Sequence, residues 1–398
     1  MGLLKGYTKE EKSWMLYDWA NSAHSVVIVT ILPIFYNTVA DFTANPASGM
    51  NTWGYATSIA MLIIALMAPV AGVMGDFKGA RKRLFTVFLV VGVLACAALA
   101  VTPMLPFETQ AMAEKVGMTV LLLYIASQIG FSGANLYYDS FLTDITTEDR
   151  MDRVSTMGYA MGYIGGSTIP LVVFLVMAGL GVDMLVCLSV VFGLTAVWWM
   201  VFSLPLLKNV HQKSYVPYEK GAVGRALRGL GGTVREIFRH KAMFVFLLAY
   251  FFYIDGVNTI IHMSTSYGDT LGLGSTEMLL ALLLVQILGL PFGLLYIRLS
   301  EKLGARFMIG VGIVIYMGIT VFGFFVRSVW QFWVLAILVA TSQGGIQALS
   351  RSMFGKLIPD KKRTGEFFGF YDIFGKFSAI MGPSLVAFTS GLAAARIR

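Results

Sequence analysis

Apolar positions in this chain fall neither into alternation nor into narrow stripes; they run in long blocks separated by brief polar turns. About 20 mostly apolar residues are what a helix needs to cross a hydrocarbon layer roughly 30 Å thick. Eleven such blocks occur, at 14–38, 53–74, 84–104, 118–139, 155–178, 184–204, 243–267, 276–298, 307–326, 330–350 and 366–390. The pattern therefore predicts an all-α integral membrane protein.

The polar turns carry the organisation. Between the second and third blocks lies Gly72-Val73-Met74-Gly75-Asp76-Phe77-Lys78-Gly79-Ala80-Arg81-Lys82-Arg83, and a weaker copy, Glu301-Lys302-Leu303-Gly304-Ala305-Arg306, follows the eighth block with acid, glycine and arginine at the same mutual spacing. A second pair of segments also matches: Tyr138-Asp139-Ser140-Phe141 after the fourth block, and Ser350-Arg351-Ser352-Met353 after the tenth. Asp139 and Arg351 hold corresponding places with opposite sign. The repetition predicts two pseudo-symmetric halves of six helices, 1–204 and 243–398, joined by a basic linker at 205–242. Gly221 to His240 in that linker has the spacing of a basic amphipathic helix, suited to a membrane surface or to a solvated connector.

Composition agrees with a membrane protein: 57% of residues are hydrophobic and 13% charged. The net charge of +8 does not point to nucleic acid, because the cations sit in alternate short loops. All of the Lys and Arg except Lys115, Arg327, Lys376, Arg396 and Arg398 fall in the N-terminal segment, the linker and the loops that leave even-numbered blocks. Short basic loops stay inside, so the N-terminus is expected in the cytoplasm of a cell whose inner membrane holds the protein. Arg396 and Arg398 would then end the chain on the outer side, and the expected remedy is a twelfth span that this sequence lacks. The first block continues too far for a cleaved signal and carries Asp18 and His24, so a retained span is expected. Cys96 and Cys187 both lie inside apolar blocks, which offers no disulfide framework and no metal site. No nucleotide-binding loop, His-Glu-x-x-His or Gly-x-Ser-x-Gly motif occurs, so neither an enzyme nor a cofactor is expected.

The stretch Gly72 to Arg83 resembles the signature of the major facilitator superfamily between its second and third helices, with Asp76, Gly79 and Arg81 on matching positions. Three further motifs resemble that superfamily's vacuole-effluxer branch: Tyr17-Asp18-Trp19-Ala20-Asn21-Ser22, Phe252-Tyr253-Ile254-Asp255-Gly256-Val257-Asn258-Thr259-Ile260-Ile261, and Gly365 to Asp372 with Gly375-Lys376-Phe377. The resemblance covers nearly the whole chain, and the short loops favour a bacterial member. It implies a monomeric secondary transporter that works by alternating access in a lipid bilayer. Its implied substrate is a small polar solute, with amino-acid efflux the first guess and protons a coupling ion. It also implies that Asp76 meets the start of the eleventh helix, where free N–H groups favour an anion, and that Arg81 meets Asp139 or Asp144. With Glu301, Arg306 and Arg351, these residues would form a cytoplasmic gate.

Charged and amide side chains inside the blocks are costly in hydrocarbon and are therefore candidates for a solute or ion path. Helical spacing places Asn21 and His24 on one face of the first block, Gln128 and Asn135 on one face of the fourth, Asp255 and Thr259 in the seventh, and Gln343 and Gln347 in the tenth. At 1.5 Å per residue, Asp255 lies about 20 Å from Lys241, and Lys376 about 17 Å past the cytoplasmic end near Thr364. Those two charges reach similar depth; a functional pair, a structural pair and no contact all remain open, and Asp372, one turn from Lys376, is the rival partner. For each polar residue singly, bonding between helices is the better explanation, while the four stripes together favour a shared water-filled cavity. His24 would suit proton coupling by its ordinary pKa, though a lone histidine in a span is more often a hydrogen-bonded packing residue. Alternative functions on the same scaffold are a non-transporting receptor or assembly protein, and a transporter of membrane lipid.

Overall fold

The computed structural model describes residues 4–44, 49–270, 272 and 274–397, apart from the side chains of 49–51, 262–263, 265–267, 269–270, 275, 379–380 and 383–397. Eleven long helices account for the apolar blocks: α1 Lys9–Ala40, α2 Gly49–Gly75, α3 Ala80–Leu99, α4 Gln110–Ile145, α5 Met151–Gly179, α6 Met184–Asn209, α7 Lys241–Thr270, α8 Ser275–Leu303, α9 Ala305–Phe325, α10 Val329–Leu357 and α11 Thr364–Ile397. Ten of them are long and apolar enough to cross a membrane, counted over the described residues. The eleventh has 34 residues. An isolated bridge between Phe77 and Val216 is the one β-type pairing among the described residues.

Local chemistry starts these helices where the pattern places them. At α1, the Thr8 hydroxyl accepts from the Glu11 N–H at 3.1 Å and the Glu11 carboxylate accepts from the Thr8 N–H at 2.8 Å, a reciprocal cap that satisfies two otherwise free donors. Glu11 also accepts from Arg150 at 2.7 Å and from Thr146 at 2.7 Å, which fastens the beginning of α1 to the α4–α5 turn. The helix at α4 is longer than its apolar block, extending to Gln110 and Ile145. Its C-terminal polar residues Ser140, Thr143 and Asp144 bond to neighbouring elements, so hydropathy alone understates its length.

Two clusters fill the interiors of the halves. One gathers residues from Tyr7 to Val210, with Leu279 and Ile297; the other runs from Ile237 to Tyr371. In the first half, α1 and α5 approach almost backbone to backbone. A Cβ on Gly158 would stand 2.3 Å from the Asp18 carboxylate, and one on Gly166 would stand 2.3 Å from the Trp19 carbonyl. Small residues allow that approach, as they do generally between membrane helices. Both helices carry a π-turn, at Val27–Ile31 and Tyr163–Ser167, which shifts the facing side chains by one position.

Trp14, which its place near the block's end would assign to the membrane interface, is fully buried instead: it stacks on Tyr138 at 4.3 Å and donates to the Tyr138 carbonyl at 2.8 Å. The linker contains a helix at Ala222–Arg239. Its Thr233 and Ile237 are buried against the body while Arg225, Arg228, Arg235 and Arg239 point away. All the basic loops lie at one end of the bundle, called the basic end below.

Candidate functional site

The turn after α2 builds a buried anion site. Gly79 adopts a φ of 71°, open to glycine, and this reverses the chain so that Arg81 on α3 points back toward Asp76. One Asp76 oxygen accepts from the Gly365 N–H at 2.7 Å and from Arg81 at 2.9 Å; the other accepts from the Glu366 N–H at 2.8 Å. These amides are free donors in the first turn of α11, so a carboxylate there satisfies both hydrogen bonding and the helix dipole. The close approach needs glycine on both sides: a Cβ on Gly72 would stand 2.3 Å from the Gly365 carbonyl. Arg81 is fully buried and also binds Asp144 at 2.7 Å and the Ser140 carbonyl at 3.2 Å. Of the two carboxylates expected for Arg81, Asp144 is the partner.

A second clasp adjoins the first. Arg363 binds Glu236 at 2.7 Å, Thr233 at 2.7 Å and Glu366 at 2.9 Å, and Thr233 also donates to Glu366. The hydrogen bond to Glu366, with that to Glu236, holds the Arg363 guanidinium protonated well above its ordinary range. The linker segment before its helix runs along the Asp76 turn as well. Gln212 accepts from the Gly79 N–H at 3.0 Å and donates to the Gly75 carbonyl at 3.1 Å, and the Ser214 N–H donates to Asp144 at 3.0 Å.

Deeper in the bundle, Arg351 of α10 crosses into the other half. Its guanidinium binds Asp18 of α1 at 3.1 Å, Asp139 of α4 at 3.1 Å and the Ser155 hydroxyl of α5 at 2.9 Å. Three rings enclose it, with centroids at 4.6 Å for Trp14, 5.2 Å for Tyr138 and 4.5 Å for Tyr159. Only 3% of the Arg351 side chain is exposed. Such a cation is tolerable because carboxylates and π-faces replace its water. Two carboxylates face one guanidinium, and of these Asp139 is the more accessible, at 24% against 9%. Around this plug, Ser155 donates to the Ala348 carbonyl at 2.7 Å, and Asp152 receives Lys356 at 2.6 Å and Ser352 at 2.7 Å.

Other expected site residues fall elsewhere. Asn21 and Asn135 do meet, at 2.7 Å, within the first half. Gln128 is buried and bonds the Tyr124 hydroxyl of its own helix at 3.4 Å, while Gln343 and Gln347 are half-buried on α10. His24 is fully buried, stacked on Phe131 at 4.5 Å beside Trp199, with neither ring nitrogen bonded among the described residues. Helical spacing puts it on one face with Asn21, but its own neighbours are aromatic. Lys376 lies 3.9 Å from Asp372, one turn away, and among the described residues Asp255 forms no ion pair with it. Local helix geometry thus prevails over the long-range Asp255 pairing. The second turn also departs from expectation. Glu301 approaches Arg153 at 3.9 Å with both side chains about half exposed, and Arg306 is exposed without an ion pair among the described residues. Among the described residues, no buried counterpart of Arg81 faces that acid.

Sequence reasoning passed over Asp18 and Ser155 as members of the charge cluster. The signal available was Asp18 itself, a carboxylate inside an apolar block beside a glycine-rich partner helix.

Long apolar helices in two related halves, closed against each other at one end by buried charges, define a transporter of the major facilitator type. The chain belongs to the family described as vacuole effluxer Atg22 like, whose model matches residues 52–391. It is 45% identical over 398 aligned residues to an uncharacterised MFS-type transporter, YxiO, of Bacillus subtilis, covering 98% of this chain and 90% of that protein. It is 26% identical to an autophagy-related protein 22-2 of Aspergillus clavatus, covering 59% of this chain but 42% of that one. The chain therefore spans less than half of that fungal relative's length. The human organic anion transporter MFSD10 shares the fold, with a TM-score of 0.69 at 14% identity over 95% of this chain and 92% of its own. YxiO and MFSD10 are both described as transporters.

Proposed function

We propose that the protein moves a small polar solute across a bacterial inner membrane by alternating access, with amino-acid efflux as the substrate class and protons as the driving ion. The halves are 1–204 and 243–398, and the basic end faces the cytoplasm, in keeping with the confinement of Lys and Arg to its loops. The observation that carries this reading is Arg351, a buried cation of one half held by two carboxylates of the other. When the halves separate, Arg351, Asp18 and Asp139 lose one another and become a cation beside two anions. An amino-acid zwitterion offers the matching carboxylate and ammonium, so solute replaces the partners that opening removes. The carboxylate in excess over the single guanidinium is the natural proton carrier, and Asp139 is the better placed of the two because solvent reaches it more readily. Binding energy can shift the two states only through such differential contacts.

Solute counterflow into proteoliposomes tests the reading. Exchange of at least one amino acid, lost in Arg351→Gln, supports it; correctly folded protein that exchanges no amino acid, dipeptide or sugar counts against it.

A further inference from the structure

One group of cations at the basic end is not consumed by the clasps described above. A cavity of about 390 Å³ lies between the start of α3 and the linker segment, lined by Lys78, Lys82, Arg83, Thr86, His211 and Tyr215. No acidic side chain lines it. Neighbouring Arg81 is neutralised by Asp76 and Asp144, whereas among the described residues Lys78, Lys82 and Arg83 make no ion pair. Lys82 binds only the neutral Val210 carbonyl at 3.0 Å, and Lys78 stands 5.5 Å from the centre of the Tyr215 ring. Three uncompensated cations converging on one hollow make an anion site, and their placement inside a concavity is more than topology requires of them.

The hollow does not end in polar surface. Arg83 and Thr86, which line it, also begin an exposed face of α3 that continues along Val87, Val90 and Val91. Val87 and Val91 are 56% and 41% exposed. From Arg83 to Val91 that face descends about 12 Å along the helix, at 1.5 Å per residue, which carries it into the hydrocarbon layer. A ligand that fits both parts has an anionic head at the membrane surface and an apolar tail parallel to a spanning helix. We propose that this is a binding site for an anionic phospholipid of the adjacent leaflet, its phosphate held by Lys78, Lys82 and Arg83 and an acyl chain laid along the valines. A free phosphate would fill the hollow and leave the valine face unused.

The site joins two moving parts. The head bridges the first turn of α3 and residues 210–215, the same linker segment that Gln212 and Ser214 tie to Gly75, Gly79 and Asp144. Bound lipid therefore reinforces the Asp76 turn from outside and favours closure of the basic end. This inference stands independently of the solute and of the coupling ion.

Native mass spectrometry of the full-length protein in detergent, titrated separately with phosphatidylglycerol, phosphatidylcholine and inorganic phosphate, tests it. Phosphatidylglycerol is expected to be retained over phosphatidylcholine, with affinity falling about fivefold for each cation removed, from the usual contribution of one basic residue near an anionic surface. Arg83→Gln measures that head contribution. Val87→Trp, which places a bulky ring where the acyl chain would lie and keeps every charge, should weaken phosphatidylglycerol as well, while Val197→Trp on the exposed face of α6 should not. Equal retention of the two lipids, no effect of Val87→Trp, or an inorganic phosphate affinity that matches the lipid's would each overturn the proposal.

Discussion

Arg351 and Asp18 are separated by 333 positions in the chain and by 3.1 Å in the fold. Nothing local brings them together; the contact exists because two halves close on one another. Removing the cation leaves Asp18 and Asp139 buried without a partner, a change that costs about 3–5 kcal/mol in comparable sites. Arg351→Gln should therefore lower the thermal midpoint and abolish exchange, and adding Asp18→Asn should recover part of the stability. Thermal unfolding of the single and double variants checks this; equal midpoints in both would contradict it.

Asp76 holds the start of α11 through two backbone amides and Arg81. An asparagine there keeps the shape but presents an N–H₂ group to one amide donor and loses the charge. Charged hydrogen bonds of this kind contribute about 1.5–3 kcal/mol, enough to raise the open fraction at the basic end by roughly tenfold or more. Asp76→Asn should accordingly increase labelling of a cysteine introduced at Thr143, a half-buried α4 residue whose hydroxyl lies 3.3 Å from that of Thr364. Unchanged labelling speaks against the latch.

Gly158 touches the Asp18 carboxylate, and a methyl there cannot be accommodated without moving α5 or the charge cluster. Gly158→Ala should destabilise by about 1–3 kcal/mol, the range for overpacked interiors. Gly224→Ala on the linker helix, where an added Cβ meets nothing within 4 Å, should leave the midpoint where it is or raise it slightly.

His24 is predicted to be dispensable for coupling. It is enclosed by Phe131 and Trp199 and reaches no other polar group among the described residues. His24→Leu should preserve the pH profile of exchange, read across pH 5.5 to 8, and a flattened profile would restore it as a proton carrier.

Much of this arrangement is readable in the residues themselves. Block lengths predict the eleven helices, and the resemblance of the Asp76 turn to the superfamily signature implies its meeting with the start of α11, where the Gly365 and Glu366 amides hold it. That α5 packs closely on another helix is legible in the glycines at 158, 162, 165 and 166, but the partner, α1, is not. What periodicity cannot supply is which face of a helix meets which neighbour. His24 shares a face with Asn21 by spacing, yet one meets aromatic rings and the other Asn135. Likewise the copy of the turn at Glu301 preserves spacing without preserving a buried partner. Asp18 was hidden for the opposite reason: its partner is a cation whose nearest repeat-related residue is Asp139, so attention falls on that pair and misses the third member.

The account rests on Arg351 joining two halves that part at the basic end. Spin labels at Lys208 on α6 and Lys302 on α8, both exposed at that end, report its opening directly, because Cys96 and Cys187 are buried and leave the introduced sites to react alone. In wild-type proteoliposomes the distance distribution should be dominated by one short separation, and Arg351→Gln should add a distinctly longer population. Identical distributions for the two proteins would contradict the proposal that this buried charge cluster controls access.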